Sequence, residues 1–313
     1  MSWFTQMLQN LISFPYLEEY LSSVVHPWWF RKLLVLHCSL MIDIYVAGCA
    51  CSFLLYVYMK MNKHQETGYE SKIWEKPRRF FAHIADIYGK IWHGYELIGM
   101  EHIPKGPGII IYHHAVAPLG YTLLLARYFL ETGRLVHSVI HHVGYWIPGL
   151  QMFYYVIGLK SYKKAEIVEI LKKGHLMGIS PGGAREAMYG HDYCLIWGKR
   201  TGFAQAALEA KVPIIPIFTQ NSCEAYRTIG KTRLTQWLFD KTRCMYLLIY
   251  GGFPVKLRTF IGEPIPYDPN ITAVELAEKA KIALNNLRDK HQKRPGNILR
   301  ALSERFDKPY KAD

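Results

Sequence analysis

The sequence predicts an α/β fold, a largely parallel sheet with flanking helices, preceded by an N-terminal hydrophobic membrane anchor. Two observations predict it. From about residue 106, short apolar runs of strand length alternate with amphipathic helical segments, the pattern of βαβ units. Well before that point, Leu33 to Met59 is apolar for long enough to form a membrane span. A chain of 313 residues accommodates one large α/β domain with an appendage and buries a sizeable core.

In chain order, residues 1–32 read as an amphipathic interfacial segment, with Trp28 and Trp29 followed by Arg31 and Lys32. Residues 33–59 read as the anchor, either one tilted span of about 40 Å or a hairpin. His37, Asp43 and Gly48 interrupt it. A mid-span carboxylate costs about 2.5–3.5 kcal/mol on insertion scales, which a bend near Asp43 relieves. The segment starts too late and runs too long for a secretory signal, and it lacks a small-residue cleavage site. Residues 60–105 read as a basic connecting helical region. There Lys60, Lys63, Lys72, Lys76, Arg78 and Arg79 outnumber Glu66, Glu70 and Glu75, which favours a cytosolic globular part.

Residues 106–313 read as the α/β domain. Ile109 to Tyr112 is a strand buried on both faces, and Pro118 to Leu130 a helix opened by its proline. Leu135–His142 and Val156–Tyr162 read as strands. Lys163 to Lys173 is a helix with Ile167, Ile170 and Leu171 on one face, closed by Gly174. Strand His175–Ser180, the turn Pro181-Gly182-Gly183, helix Gly202–Lys211 and strand Val212–Thr219 follow. Pro213 and Pro216 point to an edge or irregular strand for the last of these. A strand Phe253–Ile261 and a helix Thr272–Lys290 complete the domain, the helix opened by a Thr272/Glu275 capping box.

Lys and Arg total 38 against 25 Asp and Glu, a net charge of +13 that suits a phosphate-bearing ligand or an anionic membrane surface. There is no zinc-finger spacing, RNP-like pattern or long basic run, so no nucleic-acid partner is expected. The six cysteines form no CxxC pair and read as reduced thiols. Cys38, Cys49 and Cys51 are small buried hydrophobes or palmitoylation sites. Neither composition nor motif indicates an oligomeric state.

Three stretches carry chemistry. His113 and His114 stand where the strand Ile109–Tyr112 ends, a position open to acid/base catalysis, metal binding or simple capping. In SPGGAREA, Ser180 ends a strand, Gly182 and Gly183 allow a ligand to approach the backbone, and Arg185 and Glu186 follow. The run Gly178–Gly182 also satisfies G-x-S-x-G, the nucleophile elbow. That chemistry needs the backbone N–H of the residue after serine, which here is Pro181 and has none. In the third stretch Lys199 and Arg200 precede a helix that begins at Gly202-Phe203, and Pro216 lies in the strand beyond.

Taken in order, the strand-end histidines, SPGGAREA, GKRTGFAQAALEAKVPIIPIFTQN and YGGFPVKLRTFIGEPIPYDP resemble the glycerophospholipid acyltransferase superfamily, close to the type 2 diacylglycerol acyltransferases. The resemblance covers residues from about 92 to 306. It implies an acyltransferase-type sheet in an endoplasmic reticulum membrane protein, with the globular domain cytosolic. The implied activity is acyl-CoA dependent O-acyl transfer to a mono- or diacylglycerol-like acceptor. Acyl-CoA is a co-substrate; no bound cofactor and no metal are implied, and the partners are the bilayer, acyl-CoA and the glycerolipid acceptor.

The resemblance assigns the general base to His113, with His114 as the alternate. Gly182, Gly183, Arg185 and Glu186 match the acceptor-site motif, and Lys199, Arg200, Gly202, Phe203 and Pro216 fall in blocks where acyl-CoA or acceptor contacts are expected. One departure stands out. Family members carry an aspartate in a His-x4-Asp-like pattern, whereas here no acid follows His113 before Glu131. Two readings follow: an active acyltransferase, or a catalytically impaired relative that binds lipid or acyl-CoA.

Overall fold

Ile109, Ile110 and Ile111 have no exposed surface, and the sheet grows outward from them. The computed structural model describes residues 27–62, 71–141, 145, 147–229, 231–242, 248–307 and 310; the side chains of 27–41, 44, 229 and 248 lie outside that description. The strands are β1 (Glu96–Ile98), β2 (Gly108–Tyr112), β3 (Val136–Val139), β4 (Leu159–Lys160), β5 (Leu176–Ile179), β6 (Ile214–Gln220), β7 (Tyr226–Ile229), β8 (Leu248–Gly251) and β9 (Arg258–Ile261). Seven of them form one sheet in the order β1-β9-β6-β2-β5-β3-β4, and β7 pairs with β8 separately. Strands β6, β2, β5, β3 and β4 run parallel, and β9 is antiparallel to β6.

The helices are α1 (Pro27–Met61), α2 (Glu75–His93), α3 (Leu119–Thr132), α4 (Gln151–Ile157), α5 (Lys164–Lys172), α6 (Gly183–Tyr189), α7 (Gly202–Ala210), α8 (Ser222–Ala225), α9 (Arg233–Thr242), α10 (Ala273–His291) and α11 (Ile298–Ser303). Alternation along β2 sorts its side chains between two layers. Ile109 and Ile111 join a core with α5, α7 and α10, through Leu171, Phe203, Ala207 and Leu284. Ile110 and Tyr112 join a second core with α3, through Tyr121, Leu124 and Tyr128. Burying each such isoleucine or leucine contributes about 1.5–3 kcal/mol relative to leaving it exposed.

Contacts divide the chain between Cys51 and Ser52. The expected anchor, 33–59, lies within α1. That helix is continuous through Asp43 and Gly48, so the hairpin alternative is corrected: helical backbone bonding persists where a bend was expected. Among the described residues no helix is long and apolar enough to cross a membrane. Most of the expected interfacial segment 1–32, with the side chains of Trp28 and Trp29, lies outside the described residues. From Ser52 onward α1 packs with the sheet-bearing unit: Ser52 Oγ accepts the N–H of Phe153 at 3.2 Å, and Leu55 meets Ile73, Trp74 and Val156.

Four expectations need correction. The connecting region 60–105 is not only helical, since β1 pairs in parallel with β9. Val156 and Ile157 end α4 instead of starting a strand, and only Leu159–Lys160 extends, after Gly158 reverses the chain at φ 88°. The last domain strand is shorter than Phe253–Ile261, beginning at Arg258. Most instructive is β6, which is central despite Pro216. Pro216 faces Ile111 of β2, and its carbonyl accepts the N–H of Gly262 at 2.9 Å. A residue's N and C=O point to the same side of a strand, so the missing N–H faces β9 just past its end at Ile261, and the ladder to β2 is intact. The Thr272/Glu275 capping box forms as expected.

Candidate active site

The carboxyl ends of the parallel strands β2, β5 and β6 converge, the place where open α/β sheets bind ligands. β2 delivers the two histidines, and they part there. His113 continues the side of Ile109 and Ile111: its ring lies 5.5 Å from that of Tyr193 and 6.5 Å from that of Phe218. Its Nδ1 is buried without a hydrogen bond, and burial pulls its pKa down to about 3, with His114 and Arg288 adding to the effect. His114 continues the side of Ile110 and Tyr112, its ring 6.1 Å from that of Tyr112. Its Nδ1 lies 2.7 Å from the carbonyl oxygen of Ala115. Burial lowers its pKa too, and the Ala115 carbonyl opposes that shift. Among the described residues no carboxylate bonds to either ring.

The SPGG turn is held from both sides. Glu186, on α6 and 1% exposed, accepts the backbone N–H of His114 through Oε1 at 2.9 Å and that of Ile196 through Oε2 at 2.7 Å. Its carboxylate packs over Gly182, where a Cβ would stand 2.2 Å from Oε2, so only glycine fits. Burial raises the Glu186 pKa to about 7, against the pull of its two N–H donors and Arg200. Arg200 donates to the carbonyls of Pro181 at 2.9 Å and Gly182 at 2.6 Å, clasping the turn from outside. Gly183 takes φ +53° to start α6.

Two cavities open beside these residues. One, about 530 Å³, is the more polar of the two and is lined by both histidines, Glu186, Tyr193, Glu224 and Lys231. The other, about 730 Å³, is mainly apolar and runs between α2, α3 and the sheet, lined by Phe81, Tyr121, Leu125, Phe129, Val139 and Ile157. Both volumes suit a sizeable ligand. His114 lines both cavities, while His113 lines the polar one alone.

Not every expected residue gathers here. His113, His114, Gly183 and Glu186 line the cavities, and Gly182 and Arg200 shape the turn. Arg185 instead pairs with Asp240 at 3.4 Å, and Lys199 is exposed; neither lines either of these two cavities. Gly202 starts α7, Phe203 packs edge-on against Trp197 at 5.5 Å, and Pro216 sits within β6. The nucleophile-elbow reading of Gly178–Gly182, for which a serine hydrolase would need an acid and a histidine later in the chain such as His291, fails in space as well. Ser180 Oγ has no hydrogen-bond partner among the described residues, and His291 stacks on Phe260 at 3.6 Å. Sequence reasoning missed Tyr193 and Glu224, which bond to each other deep in the polar cavity. Only topology brings them beside His113.

Sequence comparison gives the class: residues 95–220 match the family model described as Acyltransferase, and the chain belongs to that family and is an enzyme of it. It is 44% identical over 307 residues to the mouse protein named "DGAT1/2-independent enzyme synthesizing storage lipids", covering 98% of this chain and 93% of that protein. The human protein of that name is 43% identical over 302 residues, covering 96% and 93%. Among solved structures, the 1-acyl-sn-glycerophosphate acyltransferase PlsC of Thermotoga maritima is similar, with 18% identity, a TM-score of 0.48 and coverage of 83% of this chain and 97% of that one.

Proposed function

We propose that this chain is a membrane-associated, acyl-CoA dependent O-acyltransferase that moves a fatty acyl group to the hydroxyl of a mono- or diacylglycerol-like acceptor, at the endoplasmic reticulum with its catalytic domain cytosolic. The observation that carries the reading is that one histidine, His114, lines both the more polar cavity and the apolar one. The apolar cavity has the character and volume for an acyl chain, and the polar one admits a hydroxyl and a thioester. Glu186, Asp192 and Glu224 line the polar cavity beside Arg227 and Lys231, a balance that suits a neutral glycerol hydroxyl better than a phosphomonoester. The relatives' name, which refers to storage lipids, supports the same class of product.

The reaction needs a neutral imidazole. It removes the acceptor's proton as that oxygen attacks the thioester carbonyl, a transfer worth about 10²–10⁴ in rate. Membrane association is supported by α2, whose Phe80, Ile84, Ile87, Ile91 and Trp92 are exposed along one helix. Arg79 and Lys90 on the same helix are paired with Glu75 at 3.1 Å and Asp86 at 2.7 Å, so the support comes from the apolar side chains.

The test is transfer of labelled oleate from oleoyl-CoA by membranes containing this chain, offered monoacylglycerol, diacylglycerol or lysophosphatidate. Label in di- or triacylglycerol is expected. Label confined to phosphatidate overturns the acceptor assignment, and none in any product, with acyl-CoA still bound, favours the impaired, lipid-binding alternative.

A further inference from the structure

We infer that His114, and not His113, is the general base of this chain, with the carbonyl of Ala115 holding its Nδ1 proton where acyltransferase chemistry ordinarily uses a carboxylate. The inference rests on the proposed transferase reading. Three observations carry it. First, alternation along β2 turns His114 toward the layer of Ile110 and Tyr112, where the apolar cavity lies, and His113 toward the aromatic packing of Tyr193 and Phe218. Second, His114 lines both cavities, so a single imidazole borders the acyl chain in one and the hydroxyl and thioester in the other. Third, a carbonyl only accepts, so the 2.7 Å contact to Ala115 requires Nδ1–H and leaves the Nε2 lone pair free for a proton. Among the described residues Nε2 makes no hydrogen bond.

The substitution of carbonyl for carboxylate has a definite consequence. In hydrolytic triads, replacing the aspartate by asparagine costs about 10⁴ in turnover because the amide imposes the wrong tautomer. A peptide carbonyl cannot donate and cannot impose it. What it lacks is the full charge that stabilises imidazolium. Tyr112, His113 and Glu186 stand next to His114, and the last receives the His114 backbone N–H and not the ring. Asp192, Tyr193, Glu224, Arg227 and Lys231 share one cavity with it, and Arg78, Tyr88 and Tyr121 the other.

In the step, the acceptor O–H proton passes to Nε2 while the oxygen forms a C–O bond to the thioester carbonyl carbon. The tetrahedral intermediate collapses, the C–S bond breaks, and the CoA sulfur leaves with the Nε2 proton, restoring the base. No further reactant is needed.

The experiment compares the full chain with His114→Ala and His113→Phe, the latter keeping an aromatic ring against Tyr193 and Phe218. Oleoyl transfer to diacylglycerol is expected to fall by about 10²–10⁴ in His114→Ala and to stay within about tenfold in His113→Phe. Added imidazole is expected to restore part of the His114→Ala rate, which a purely structural loss does not allow. Independently of turnover, diethylpyrocarbonate followed by peptide mapping reads which histidine presents a free neutral nitrogen. His114 is expected to label first. First labelling of His113, or loss of transfer in His113→Phe with retention in His114→Ala, overturns the assignment. First labelling of His114 in a wild-type chain that transfers no acyl group overturns the transferase reading and leaves the ring geometry standing.

Discussion

The backbone N–H of His114 donates to Oε1 of Glu186 at 2.9 Å, tying the end of β2 to α6 across 72 residues of sequence. The other oxygen of the same carboxylate takes the N–H of Ile196. Glu186 therefore sets the position of the histidine loop through its backbone.

Glu186→Gln replaces one acceptor oxygen by an amide that faces an N–H donor. A stability loss of about 1–3 kcal/mol is expected, with reduced turnover, measured by thermal unfolding and acyl transfer on one preparation. The pH dependence is distinctive. A carboxyl raised from 4.5 to about 7 binds more protons folded than unfolded in that window, so its contribution weakens as pH rises through it. His113, lowered from 6.5 to about 3, acts in the opposite sense, its contribution complete above pH 6.5 and declining as pH falls toward 3. Stability of Glu186→Gln relative to wild type is expected to improve as pH rises from 4.5 to 7; a constant difference contradicts this.

Arg200 and Lys199 are neighbours with separate roles. Arg200→Ala releases the carbonyls of Pro181 and Gly182 and is expected to lower kcat by about 10–10² through a displaced turn. Lys199→Ala, at an exposed side chain, is expected to leave stability within about 0.5 kcal/mol and to act, if at all, on KM for acyl-CoA. Steady-state kinetics with acyl-CoA varied separates the two.

An acid is not easily placed at position 120, one residue beyond the His-x4-Asp spacing counted from His114. A Cβ at Gly120 stands 2.2 Å from the side chain of Thr219, which bonds Thr259 at 2.8 Å. Gly120→Asp is expected to cost about 1–3 kcal/mol and to give no gain in turnover. Thermal unfolding and transfer assays check both.

The apolar cavity sets which acyl chains fit. Leu125→Trp adds bulk to its wall and is expected to lower kcat/KM for long acyl-CoA more than for short, measured across a chain-length series. A uniform fall across the series contradicts that role.

Much of this was legible in local signals. Three consecutive isoleucines before two histidines announced β2, and Thr272 with Glu275 announced α10. The glycines of SPGG marked the turn that Glu186 and Arg200 clasp. What local signals lacked was direction and partnership. Pro216 argued against a central strand because its missing N–H has a side, and only the end of β9 reveals that side. His113 and His114 are adjacent, so which layer each enters depends on the parity of a strand whose faces are both apolar. Tyr193 and Glu224 carry no periodic signal and meet only through the fold.

The most direct measurement uses an acyl-CoA bearing a photoreactive diazirine near the end of its acyl chain, cross-linked to the full-length chain and mapped by mass spectrometry. Adducts are expected on the cavity between α2 and α3, at Phe81, Leu125, Phe129 or Val139, and to be displaced by excess oleoyl-CoA. Displaceable adducts lying wholly outside that cavity contradict the account.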